Sequence, residues 1–405
     1  MLVPGDAVSY ISLFLLASFI CAMMASTSSA EETYSAEVLP ADRTVMIDTL
    51  TGVTLTFLTT DTPSSSIYFH ERSWLANSSM IVFRGERGTM GYLTATGELV
   101  VLETPTGAVG AVTAAAKRSS IFCIRGNDVL ELTPKIEISP DPTITPSKVT
   151  ITERVIVTVP SGSTLNVNYD DTFLSIGIGK TVNTIRVSDG RLKEVCRLDP
   201  PLAWRGHLQW SRTESNLLSM AQGQDWRRDP DALDRIWVID PEEGVPRPVY
   251  HQIVGELVTH ESWWVDDQIL FCGAPPPLGL PGDPERREMA HVNALDTTTG
   301  NVRIIGAGSW WPEGSDEEVW RRNWWHCAGS EDGRWVVADT FHGDIALFDA
   351  PNTRPLLLSS GHRPFVGSAK HPEPGWDRAS RQVIFSSHML SDEVNACVAT
   401  IPDGW

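Results

Sequence analysis

The 405-residue sequence predicts an all-β fold: a single seven-bladed β-propeller, closed by strands from its two ends. Three observations predict it. Long helical periodicity is nearly absent, and short alternating or fully apolar runs dominate, separated by turn residues. An apolar strand, an Asp/Thr/Gly turn and a second apolar strand recur, with turns at Gly52, Gly97, near Pro134, and at Gly190, Gly244, Gly300 and Asn352. Neighbouring turns lie 37 to 56 residues apart, near the blade period of about 40–50 residues. Finally, a histidine returns ahead of an apolar run in five places: His70-Glu-Arg-Ser-Trp, His207-Leu-Gln-Trp, His260-Glu-Ser-Trp-Trp, His326-Cys-Ala-Gly-Ser and His371-Pro-Glu-Pro-Gly-Trp. The runs that follow begin at Ile81, Leu217, Ile269, Trp335 and Val383.

The chain begins with a segment unlike the rest. Residues 11–25 are almost continuously apolar, and Ser28-Ser-Ala30 precedes the acidic Glu31-Glu32. This reads as a secretory signal over residues 1–30, leaving residues 31–405 as one propeller domain. An uncleaved membrane anchor through residues 11–25 is the competing reading, although the run is short for a full span. The protein is thus expected to be secreted or periplasmic, without stable membrane association once the signal is cleaved. Asn77-Ser-Ser79 forms a glycosylation sequon, usable in a eukaryotic secretory route.

The first hairpin turn comes too early for a complete blade before it, and the segment from His371 to Trp405 lacks an outer hairpin. The C-terminal segment supplies inner strands and the Thr44–Thr60 region an outer strand, which closes the ring and removes exposed edges. Six or eight blades remain open, because the region 111–160 is poorly marked. Two long polar insertions, Gln222–Asp234 and Pro275–Ala290, are placed to wall a binding face.

The formal charge is −19, which argues against nucleic acid as a partner because phosphate contacts need a basic face. Five cysteines follow the signal, far apart and without zinc-finger spacing. They read as buried thiols, with at most two disulfides. No Gly-Xaa-Ser-Xaa-Gly elbow, phosphate loop or dinucleotide fingerprint stands in a convincing context.

In a blade the innermost strand lines the channel, so the five histidines converge near one mouth. His371 and Glu373 are two apart, which puts them on one side of a strand. With His326 they form a two-His, one-carboxylate set suited to Mn, Fe, Zn or Ca ions. His260 has no carboxylate at that spacing and is a proton acceptor. Arg235 is a fixed cation for a substrate carboxylate, with pairing to Asp234 as the plainer reading. His70, His207 and Trp263 are expected to contact substrate.

These segments resemble the oligogalacturonate lyases, seven-bladed propeller enzymes of pectin breakdown. The resemblance runs through Gly206-His-Leu-Gln209, Asp234-Arg-Ile-Trp237, Gly255-Glu-Leu-Val-Thr-His-Glu-Ser-Trp263, His326 with Val337-Ala-Asp339, and His371-Pro-Glu-Pro374. It implies β-elimination from a 4-linked uronate with a divalent ion, Mn2+ first, on the substrate carboxylate. His260 then matches the base, Arg235 the carboxylate-binding arginine, and His326 and His371 the metal ligands. The family's Gln-Xaa-Xaa-His-Pro-His motif is Ser368-Ala-Lys-His-Pro-Glu373 here, so a serine and a glutamate replace two ligands. The reading is a secreted, metal-dependent lyase acting on an acidic oligosaccharide. The rival is a non-catalytic propeller that binds protein or glycan through a tryptophan-lined face.

Overall fold

The structure is a computed structural model that describes residues 31–202, 206–274, 290–308, 323–340, 342–349, 351, 354–362 and 371–405. Seven antiparallel sheets form the blades of a propeller ring. Their inner strands are Ser64–Ser65, Gly110–Ala114, Ser163–Val167, Gly206–Trp210, Leu257–Trp263, Trp324–Gly329 and Gly375–Trp376, in blades 1 to 7. Each apolar run that follows a histidine segment becomes the second strand of its blade, as in Met80–Gly85, Gln268–Ala274 and Gln382–Ser387. Among the described residues the one helical element is a short turn, Val265–Asp267. No helix among them is long and apolar enough to cross a membrane. Residues 1–30 and most of the second insertion lie outside the described residues.

The turn chemistry explains why the period was visible. Gly52, Gly97, Gly190, Gly244 and Gly300 all have φ between 68° and 81°, a conformation glycine adopts without steric cost. Each donates its N–H to the carbonyl four residues earlier, as Gly300 does to Asp296. The Asp296 carboxylate also accepts from the Thr298 and Thr299 amides. The turn expected near Pro134 lies elsewhere. Pro134 pairs with Ile151 inside a long hairpin of Asp128–Glu137 and Lys148–Thr158, whose turn is formed by residues 138–147. The inner neighbour of that strand reaches only to Leu132, so proline sits where its missing N–H deprives no ladder partner. Asn352, the last expected turn, lies outside the described residues.

Ring closure follows the expected plan with one strand more. Blade 7 takes Gly375–Trp376, Gln382–Ser387 and Asn395–Thr400 from the C-terminal segment, then Thr54–Phe57 and Thr44–Ile47 from the N-terminal one. Cys397 pairs with Phe57 across the seam. Upstream, Val38–Leu39 adds to the outer strand of blade 1 and Glu32–Ser35 to that of blade 2. Residues 32–47 therefore run as a belt over three blade edges and cover backbone groups that would otherwise be open to other chains.

The core lies between blades. Phe57, Val337, Leu347, Phe385 and Cys397 form one fully buried cluster across blades 6 and 7, each large apolar side chain contributing about 1.5–3 kcal/mol. All five cysteines are buried free thiols, as expected. Asn77 is exposed, in a turn where its side-chain oxygen accepts from Ser79.

His362 joins the same two blades and makes the fold sensitive to acid. Its ring is fully buried between the Ser387 and Ser359 hydroxyls, 2.8 Å from each. Burial pushes its pKa down to about 3. An unfolded histidine titrates near 6.5 and so binds the proton first. Stability is intact above pH 6.5 and falls as pH drops toward 3, by on the order of 4 kcal/mol from this group alone. Denaturant titrations of wild type and His362→Gln between pH 7 and 4 check this. The variant is expected to be less stable at pH 7 but to lose less on acidification.

Candidate active site

The inner strands carry bulges at the level of the histidines. Register shifts fall between Gly206 and Gln209, Thr259 and Ser262, and Trp324 and Cys327. His207 and His260 have φ of 50° and 55°, and Glu373 has φ of 51°. Such left-handed backbone costs a non-glycine residue about 1–2 kcal/mol and persists because the bulge re-aims the side chain. The result is a cluster of imidazoles across blades 4 to 7. The His260 ring centroid is 4.0 Å from that of His326 and 6.0 Å from that of His207, and His326 is 5.2 Å from His371.

Blade 1 contributes differently from expectation. The segment Tyr68-Phe69 crosses toward this cluster, with Phe69 centroids 6.0 Å from His260 and 5.3 Å from His326. The Tyr68 hydroxyl lies 3.1 Å from His207 Nε2. His70 itself reaches His207, at 5.7 Å between centroids, and its Nδ1 lies 3.1 Å from Glu71. A cavity of about 420 Å3 opens beside these groups, lined by Tyr68, His70, Glu71, Arg84, His207 and Glu373 among others.

Behind the cavity is a buried relay of charges. His207 Nδ1 is 2.7 Å from Glu261 Oε2. Arg235 Nε donates to Glu261 Oε1 at 2.5 Å, and another Arg235 nitrogen lies 2.6 Å from Asp225. Burial pushes the Glu261 carboxyl up, but Arg235 and His207 outweigh it and hold the pKa well below the usual carboxylate range. Arg235 is only 3 % exposed. Its partners are Glu261 and Asp225, while Asp234 pairs with Arg227 and His251. Arg235, expected to face a substrate carboxylate, thus holds two carboxylates of the protein in this structure.

Protonation follows the same environment. Burial, then the neighbouring His326 and His207, pushes the His260 pKa well below 6.5, so the ring is neutral over the physiological range. Burial and His371 do the same to His326. His326 Nδ1 is 2.9 Å from the fully buried Asp339 carboxylate, which also accepts the His326 and Glu373 amides. Burial raises the Asp339 pKa to about 7. When Nδ1 carries the proton toward Asp339, His326 presents Nε2 as its lone-pair nitrogen, the arrangement found behind metal-bound histidines. Burial raises the Tyr68 phenol, and Glu373 and Glu261 raise it further.

The donor chemistry at His326 and His371 thus fits a divalent ion. Among the described residues, no three His, Cys, Asp or Glu side chains are grouped to hold one. Residues 371–374 form no strand, and the left-handed Glu373 breaks the alternation that would aim His371 and Glu373 together. Glu373 lines the cavity, whereas the His371 ring stacks 6.1 Å from Trp325. Ser368 lies outside the described residues. Trp263, expected to contact substrate, is 1 % exposed and packs with Ile236, Val238 and Phe271. Of the eleven described tryptophans seven are buried and four are partly buried, among them Trp325 against His260. Tyr68, Glu261 and Asp339 were assigned no role from the sequence. The strand pattern around Asp339 and the His-Glu doublet at 260–261 were their only signals.

Comparison with known proteins adds the fold relationship. No protein-family model matches the sequence, and no curated protein does. Among solved structures the chain is similar to an oligogalacturonate lyase in complex with manganese, with a TM-score of 0.69 at 17 % identity, covering 91 % of this chain and 98 % of that one. It is also similar to an oligogalacturonate lyase from Vibrio parahaemolyticus, with a TM-score of 0.67 at 15 % identity, covering 92 % of this chain and 100 % of that one. At these identities the likeness is one of fold.

Proposed function

We propose that this chain is a secreted, metal-dependent lyase that cleaves oligogalacturonate or a related uronate oligosaccharide by β-elimination. The observation that carries the reading is the neutral His260 ring 4.0 Å from His326, whose other nitrogen Asp339 holds. A general base must be unprotonated and beside the group that acidifies its target. In this reading His326 and His371 would supply imidazole ligands to a divalent ion, Mn2+ first and Ca2+, Zn2+ or Fe2+ as alternatives, and Glu373 would join them only by turning from the cavity wall. The ion supplies charge stabilisation at the substrate carboxylate. Such a cation would offset the charges of Glu71 and Glu373 on the cavity wall when an acidic sugar enters.

His260 takes the C5 proton. Tyr68, kept protonated by burial and by its acidic neighbours, gives its proton to the leaving oxygen, and after product release the His260 imidazolium loses its proton to solvent while Tyr68 regains one from it. Arg235 acts indirectly, fixing Glu261 and through it the His207 ring. His70 and His207 line the sugar-binding cavity. The test is incubation with short oligogalacturonates with and without Mn2+, following ultraviolet absorbance of the unsaturated product. Metal-stimulated absorbance growth is expected. No product from any tested uronide, with no metal bound by elemental analysis, overturns the reading in favour of a binding propeller.

A further inference from the structure

In blades 4 to 7 the inner strands run from the histidine level toward the other end of the channel, and residues near their ends form a second cluster with Arg72 of blade 1. Arg72, Arg212 and Arg378 leave blades 1, 4 and 7 there, while Glu331 leaves blade 6. Arg212 comes five residues after His207 and Arg378 seven after His371, roughly 16–23 Å along an extended strand. A cavity of about 290 Å3 opens at this end, lined by Arg72, Lys117, Tyr169, Arg212, Asp266 and Glu331 among others.

The cations here are not fully matched. Glu331 serves two guanidiniums, with Arg378 at 3.2 Å and Arg72 Nε at 3.8 Å. The Arg72 side chain is only 10 % exposed, yet its buried Nε has no hydrogen-bond partner among the described residues. Arg378 also donates to the Trp74 and Ala115 carbonyls. Arg212 makes no hydrogen bond or ion pair among the described residues. Burial and the like charges of Arg72 and Arg378 push its pKa down to about 10, against the opposing pull of Glu331. Crowded, half-desolvated cations are unfavourable without counter-charge, and this cluster stands in a chain of charge −19.

We infer that the far mouth of the channel is a binding site for a small oxyanion of carboxylate or phosphate type, held by the guanidiniums of Arg212 and Arg72. Planar guanidinium forks match both anions bidentately. The site opens beyond the histidine cluster, with Arg72 two residues past His70, and does not depend on the lyase reading.

The experiment uses the full chain. Thermal unfolding and titration calorimetry are run with inorganic phosphate, with galacturonate, and with sodium chloride at matched ionic strength. At tenfold excess over Kd, one of the two anions is expected to raise the melting temperature by about 1–3 °C beyond chloride. Arg212→Gln is expected to weaken that binding at least tenfold without lowering the melting temperature of the unliganded protein, because one crowded cation is removed. Arg72→Gln provides a second variant with the same expected loss of binding. A phosphate-only or galacturonate-only response identifies the source of the anion. The inference is overturned if neither anion exceeds chloride, or if both variants respond like wild type.

Discussion

His260→Asn lowers kcat on oligogalacturonate by about 10²–10⁴-fold, the range expected when a general base is removed, and leaves bound metal unchanged. Asparagine is the informative replacement because position 260 has φ of 55°, and asparagine tolerates left-handed backbone better than alanine does. The loss is then chemical rather than conformational. Steady-state kinetics, circular dichroism and elemental analysis on the same preparation separate the outcomes. His371→Ala is the contrasting variant and is expected to lose metal. Full activity in His260→Asn would show that another group takes the proton.

Glu261→Gln destabilises the protein by about 3–5 kcal/mol, since breaking a buried pair leaves an uncompensated charge. Glu261 is 3 % exposed and sits between Arg235 and His207. The amide keeps the shape and removes the charge, so Arg235 loses the Glu261 carboxylate and keeps that of Asp225. Equilibrium urea denaturation measures the loss, and a decrease under 1 kcal/mol would refute the relay as a structural element. Activity falls as well in the folded variant, because His207 and Tyr68 lose their anchor.

Much of the ring was legible because its signals are local. Left-handed glycines closing hairpins at Gly190, Gly244 and Gly300 repeat at the blade period, and a histidine precedes each second strand except in blades 2 and 3. What was hidden depends on contacts between distant residues. Nothing near Pro134 announces that the hairpin continues past it, because an unpaired edge tolerates proline silently. Arg235 reads as an available cation until Glu261, 26 residues later, folds against it. The pairing of His371 with Glu373 assumed an alternating strand, and one left-handed residue cancels that assumption. Trp263 lies beside a site histidine in the sequence yet faces the opposite side of its strand, into the core.

The seam in blade 7 has a consequence for the order of folding events. Phe57 and Cys397, joined there, are some 340 residues apart, and bringing such ends together costs about 5 kcal/mol in chain entropy. The belt of residues 32–47 is laid along blades 2, 1 and 7, so it cannot complete its course until residues 395–400 have been synthesised. A nascent chain therefore holds its early strands without their final neighbours throughout elongation. Closure becomes a late step that joins residues 44–57 to residues 395–400.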